Sequence, residues 1–375
     1  TGDEKKSPRG RNQLVRLMIE GKLADPQAAA AALDTCLLCS ACSTACYAHV
    51  PTADIVLEGR RLLRERAPWL AQKLSQLLLE RRPLFELLLK AANLAKRLGL
   101  SRLARPFLRL AGLPGLALAD EHVSLAPLSF SDSLLQSGAK PYSYLQFMPC
   151  GTRYLFTAVA VATEKALSRL GGSRPLQSGC CGLLAYNYGE LSAARKFAQA
   201  VIQAAEKDEK PVVVDCSSCA AFLKSYEQLF LDDPVWRPRA KAFVARVRDV
   251  VEVLNAPAQW PAGTMTYHQS CRARHGQGLE TPRAIADRAS GFRPLAEADA
   301  CCGGAGAFSF LNPELADDVL RRKIDKIARA QAKVVVTSST SCLIQLAHGL
   351  RNYYPSCVVK HISEIAAFPD GEAKI

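Results

Sequence analysis

The chain has 375 residues, 49% of them hydrophobic, with fourteen cysteines and a formal net charge of +13. That is enough apolar material for two or three packed domains, and no apolar run reaches the ~18 residues needed for a membrane-spanning helix. So many cysteines would suit a disulfide framework in a small secreted domain, but here they cluster tightly in a long chain, which fits metal ligation in a reducing, cytoplasmic setting.

Residues 1–58 hold the first cysteine group. The pattern predicts helices from Asn12 to Glu20 and from Pro26 to Leu33. The run Cys36-x-x-Cys39-x-x-Cys42-x-x-x-Cys46 then has the bacterial ferredoxin spacing for a 4Fe–4S cluster. Its short gaps curl the chain so that three thiolates can face one cube. A structural zinc usually takes paired Cys-x-x-Cys groups, which this run is not. The usual proline after the last cysteine is replaced by Tyr47. In two-cluster ferredoxins that last cysteine serves the other cluster. Either Cys46 folds back to complete a single cluster, or its partners lie elsewhere. The expectation is a native protein longer than this chain, or a separate chain that supplies the missing ligands.

Residues 59–140 read as a basic helical linker. Arg60 to Arg109 holds thirteen Lys/Arg against three Asp/Glu, with many leucines and no nucleic-acid motif. Amphipathic helices are predicted, broken at Pro68, Pro83, Gly99, Pro106 and Pro114, followed by a loop-rich stretch over 121–140. Such a surface suits a protein partner or a membrane, or else it is a set of solvated helices covering a core.

The remainder is a repeat, with units at 141–255 and 256–375. Cys150 precedes Cys180-Cys181-Gly182 by thirty residues, and Cys271 precedes Cys301-Cys302-Gly303 by thirty, an offset of 121 throughout. Each unit predicts a strand into its first cysteine (Tyr144–Met148, Thr264–Tyr267). A helix follows (Leu155–Leu170, and near Pro282–Ser290), then the Cys-Cys-Gly turn and a second helix (Leu191–Lys207, Pro313–Ala330). A short buried strand (Val212–Val214, Val334–Val336) and another cysteine loop come next, and Arg248-Asp249-Val250 or Lys360-His361-Ile362 enters a closing helix. Alternating strands and helices argue an α/β layered fold. The cysteines would then sit where strands end and helices begin, facing free backbone N–H groups that favour thiolates and sulfides.

The first unit offers five thiols: Cys150, Cys180, Cys181, Cys216 and Cys219. Five exceed the four of a zinc or an ordinary cube, which suggests an unusual cluster with a bridging thiolate. The second offers Cys271, Cys301, Cys302 and Cys342, because Ser339 stands where the first has Cys216. Four thiols suffice for an ordinary 4Fe–4S cube, and a zinc-filled or empty site is the competing reading. His268 is a candidate substitute ligand, against the ordinary reading of a locally hydrogen-bonded histidine. Cys357 has no counterpart and reads as a buried thiol. There is no Walker loop, Rossmann glycine fingerprint or nucleophile–His–acid arrangement, so a flavin or nicotinamide is expected on another subunit.

The paired Cys-Cys-Gly units resemble the cysteine-rich (CCG) domains of the heterodisulfide reductase catalytic subunit and of the iron–sulfur subunits of glycolate oxidase, D-lactate dehydrogenases and anaerobic glycerol-3-phosphate dehydrogenase. Thr1-Gly2-Asp3-Glu4, Ser7-Pro8-Arg9-Gly10-Arg11, Ala305-Gly306 and the stretch from Thr337 to Cys342 are similar to the glycolate oxidase subunit. The resemblance implies an α-helical ferredoxin-type segment followed by two tandem α/β CCG domains. It implies a 4Fe–4S cluster at Cys36–Cys46, a non-cubane 4Fe–4S cluster at Cys150–Cys219 and a 4Fe–4S cluster at Cys271–Cys342. The activity it implies is electron relay between a flavoprotein that oxidises a 2-hydroxy acid and a quinone or membrane subunit. The alternative is direct reduction of a disulfide or thiol substrate at the five-thiol cluster, which would make those five cysteines catalytic. A zinc scaffold that only assembles other subunits is a third reading.

Overall fold

The computed structural model describes residues 2–63, 73, 76–77, 81–135, 141–254, 263–280, 282 and 291–367. Pro68 and nearly all of the helix expected near Pro282–Ser290 lie outside them. Two parallel sheets carry the two repeats. The first contains β1 (Tyr144–Phe147), β2 (Ser173–Pro175), β3 (Val212–Val214) and β4 (Val247–Asp249) in the order β2-β1-β3-β4. The second contains β5 (Met265–Tyr267), β6 (Val334–Thr337) and β7 (Val358–His361) in that order. Every strand pair is parallel. Parallel strands are covered on both faces, which explains the unbroken valine runs of β3 and β6. β2 was not legible in the sequence: it is a short edge strand ending in Pro175, which an edge tolerates.

The two sheets share apolar packing. Val213 joins Met265, Tyr267, Val334 and Val336 in one buried cluster, with Leu167 and Ile362 at its margins. Each repeat also ends alike. β4 enters the helix Val250–Val253 through a capping box of Asp249 and Glu252, and β7 enters Ile362–Ala366 through one of His361 and Glu364. The helix expected over Leu155–Leu170 is instead two, Cys150–Tyr154 and Thr157–Ser168. The N–H groups of Leu155 and Phe156 both turn back to the Gly151 carbonyl, which closes the first helix.

At the N-terminus, helices Pro8–Ile19, Pro26–Asp34 and Thr52–Leu63 enclose Val15, Leu33, Leu38, Val56 and Leu57. Ser7 and Asp25 cap the first two through their side chains. The basic region forms Arg82–Arg97, Leu100–Leu110 and Pro114–His122. Gly99 makes the expected break in a left-handed conformation. Pro106 does not: the helix Leu100–Leu110 runs through it, held by packing against Pro114–His122 that outweighs one lost backbone hydrogen bond. The region is clamped to the second repeat by His122, whose ring stacks on His348 at 3.7 Å, and by Arg351, which donates to the His122 carbonyl at 2.9 Å.

Burial, and then the neighbouring His122 and Arg351, lower His348 from 6.5 to about 4. The unfolded chain therefore takes up a proton between these values that the folded chain refuses, so stability falls as pH drops from 6.5 toward 4. Thermal melts across this window should show a declining Tm, and His348→Gln should flatten the decline. Parallel curves for the two proteins would reject this role.

Candidate metal centres

All fourteen cysteines are free thiols. Twelve of them gather at three places, each built on a chain reversal that aims backbone N–H groups at sulfur, and Cys46 stands apart with backbone partners alone.

The N-terminal group forms a tight loop in which Leu38 and Ser40 both take left-handed backbone conformations (φ 51° and 62°). Burial of the Leu38 side chain offsets that strain. The Leu38 N–H lies 3.5 Å from Cys36 Sγ. A feature the sequence did not single out fixes the loop: buried Arg60 donates to the carbonyls of Leu33 (2.9 Å) and Cys36 (2.8 Å), and to Asn187 of the first repeat (3.2 Å). Burial raises Cys39 to about 11, and the strongest charge acting on it is Cys271 of the second repeat, ahead of Cys36 and Cys42. The helices Ala41–Ala45 and Cys271–Gln277 pack together, with Thr44 Oγ1 and His275 Nδ1 3.1 Å apart. Cys46 is governed instead by the backbone N–H groups of Val50, Ala48 and His49, which lower its pKa.

In the first repeat, Cys150, Cys180, Cys181, Cys216 and Cys219 converge at the ends of β1 and β3. Cys181 and Cys219 Sγ are 3.3 Å apart, and the Gly182 N–H lies 3.4 Å from Cys180 Sγ. Gly182 is left-handed (φ 83°), and a Cβ there would meet Phe197 at 2.8 Å. Buried Tyr226 donates to the Cys181 carbonyl at 2.6 Å. Cys216 is lowered to about 5, first by a hydrogen bond from Cys219 and then by Thr340. Four of the five thiols are buried, and Cys150 is half-buried.

The second repeat gathers Cys271, Cys301, Cys302 and Cys342 similarly, with the Gly303 N–H 3.4 Å from Cys301 Sγ. Gly303 is left-handed (φ 87°), and a Cβ there would meet the Ala316 carbonyl at 2.7 Å. Lys323 is buried beside Cys301 and Cys302 and donates to the Glu297 carbonyl at 2.6 Å. The matching helix of the first repeat carries apolar Val201 and Ile202 in this region. Cys357 is buried in the hydrophobic cluster of the second repeat that also holds Cys302 and Cys342, and no cysteine is among the groups acting on its thiol.

The two repeats meet cysteine loop to cysteine loop. The Ser217 N–H donates to the Ser338 carbonyl at 2.8 Å, Ser218 and Ser339 Oγ are 2.7 Å apart, and the Thr340 N–H points at Cys216 Sγ from 3.4 Å. Gly151 lacks the side chain that would collide with Thr340.

Residues 144–224 and 265–347 match the family described as a cysteine-rich domain, CCG. The lactate utilization protein A of an Exiguobacterium strain is 34% identical over 232 residues, spanning 58% of this chain and 94% of that one. The chain belongs to the CCG iron–sulfur subunit family. A probable glycolate oxidase iron–sulfur subunit of Bacillus subtilis is 27% identical over 383 residues, covering 92% of this chain and 84% of its own. A hypothetical protein from Helicobacter pylori has a crystal structure with the same overall fold, with a TM-score of 0.54 at 10% identity over 99% of this chain and 73% of that one.

The donor sets fit the family's iron–sulfur chemistry. Thiols lie at contact distance without bonding, N–H groups face sulfur, and glycines stand where a side chain would intrude. Replacing Cys219 with Ser should lower the iron and acid-labile sulfide bound by the purified protein. Cys357→Ser should leave both unchanged. Equal iron in the two variants and the parent would exclude Cys219 as a ligand.

Proposed function

We propose that the protein is the electron-relay subunit of a multi-subunit oxidoreductase, passing electrons between a flavoprotein that oxidises a small 2-hydroxy acid and a quinone or membrane partner. Its clusters would be a 4Fe–4S cube on the N-terminal cysteines, a non-cubane 4Fe–4S cluster on the five thiols of the first repeat and a third cluster on the second repeat. The relatives' names, glycolate oxidase iron–sulfur subunit and lactate utilization protein, support this substrate class. The observation that carries the reading is convergence. Cys39 lies under the influence of Cys271, and Cys216 lies against the Ser339–Thr340 loop, so the three cysteine groups are neighbours. Electrons cross such gaps without a substrate channel. Direct disulfide reduction needs the substrate sulfur to touch the cluster, and the burial of Cys180, Cys181, Cys216 and Cys219 disfavours that alternative. A cytoplasmic location follows from the need to keep these thiols reduced.

In this role the chain's residues fix the spacing of the clusters and set their potentials through burial and N–H···S contacts. Freeze-quenched EPR should show all cluster signals appearing together when the co-purified flavoprotein receives its 2-hydroxy acid. In Cys39→Ser the N-terminal signal should be lost and quinone reduction should fall at least tenfold. Clusters that stay oxidised with substrate present would overturn the relay.

The helix Leu100–Leu110 supports attachment to an anionic membrane surface. It buries none of its residues: Leu100, Leu103, Phe107 and Leu110 are exposed, flanked by exposed Arg102 and Arg109. Leu94, Arg97 and Leu98 extend the face. No helix among the described residues is long and apolar enough to cross a membrane, so the contact is interfacial. The protein should sediment with vesicles containing anionic lipid and not with neutral ones, and Leu103→Asp with Phe107→Asp should abolish the difference. Unchanged sedimentation of the double variant would remove this surface from the proposal.

A further inference from the structure

His268 is fully buried; its ring is oriented toward the Ala298 backbone, and no side chain among the described residues hydrogen-bonds either ring nitrogen. A buried polar atom without a partner is destabilising, so an imidazole nitrogen with no side-chain partner calls for something to bind. Its ligating nitrogen, Cys302 Sγ and Cys342 Sγ all lie within 4.8 Å of one another.

The two repeats differ at this point. Tyr267 pairs with Val336 as Phe147 pairs with Val214. In that register His268 stands where the first repeat has Met148, which packs with Leu135 and Ala160. The second repeat also has one residue more between its strand and its first cysteine, 268–270 against 148–149. The loss of the fifth thiol is equally local. Ser339 replaces Cys216, and its hydroxyl is engaged by Ser218 at 2.7 Å and Ser341 at 3.1 Å. One repeat therefore offers five thiols, and the other offers four thiols and an imidazole that no side chain partners.

We propose that His268 is a protein ligand of the second repeat's metal centre, making its donor set four cysteines and one histidine. The inference rests on the reading that the repeats hold iron–sulfur clusters. One ring nitrogen binds the metal, and the other is oriented toward the Ala298 backbone. The imidazole is neutral, where the first repeat uses a thiolate. The second centre is thereby less negative than its counterpart and holds an electron more readily, as histidine-for-cysteine replacement does in two-iron clusters. The second repeat becomes the higher-potential station.

The test is pulsed EPR on the reduced holoprotein grown with isotopically labelled histidine. The expected result is a nitrogen coupling that changes with the isotope and disappears in His268→Ala. In a redox titration, His268→Cys should lower the potential of one centre and leave the N-terminal cluster unmoved. A full cluster complement with no histidine coupling in the unaltered protein would overturn the ligation, and that measurement does not depend on any variant folding. Absence of iron from both repeats would instead overturn the functional reading beneath it.

Discussion

A thiolate is anionic, and this protein gathers cysteines in both repeats where Cys180, Cys181, Cys216, Cys219, Cys302 and Cys342 are buried. Backbone N–H groups at strand ends and helix starts can receive that charge without adding mobile side-chain cations. The parallel sheet supplies such junctions repeatedly, because every strand leaves the same edge and turns into a helix. Gly182 and Gly303, both left-handed and both pressed against a neighbouring helix, mark where the backbone has to come close.

Duplication brings two such arrangements together. Two copies packed with their cysteine loops facing each other place Cys216 against the Ser339–Thr340 loop. The N-terminal loop is then pinned into the same region by Arg60 on one side and by the 41–45 and 271–277 helices on the other. Burial that would obstruct a substrate is no obstacle to an electron, so the depth of the five-thiol site and the adjacency of the three groups favour the same function. The helices at 81–122 stand outside this machinery, with a leucine-rich face turned to solvent and an attachment at His122 and Arg351.

The copies have diverged within the shared frame. The first keeps five thiols, with Val201 and Ile202 where the second has Lys323. The second has Ser339, buried Lys323 and buried His268. Ser339 removes a thiol and Lys323 adds a cation, so the second site is less negative than the first while their geometry stays related.

The amino-acid sequence alone determined the chemistry and much of the frame. Cysteine spacing depends on short-range geometry, so the ferredoxin-type run and the two Cys-Cys-Gly units were legible, as were the valine strands and the Asp249 and Lys360–Ile362 helix entries. What it left open depends on contacts between residues far apart in the chain. The continuation of the helix through Pro106 required its neighbouring helix, and β2 required a sheet edge. Arg60 looked like one more member of a basic run until the fold buried it among carbonyls of two segments. Cys39 acquired Cys271 as a neighbour, and Cys216 acquired Thr340, only when the repeats closed on each other. His268 could be named as a candidate from its place near Cys271. Its lack of a side-chain partner and its position beside Cys302 and Cys342 exist only in three dimensions, because hydrogen-bond satisfaction is a property of the packed interior and not of the residue.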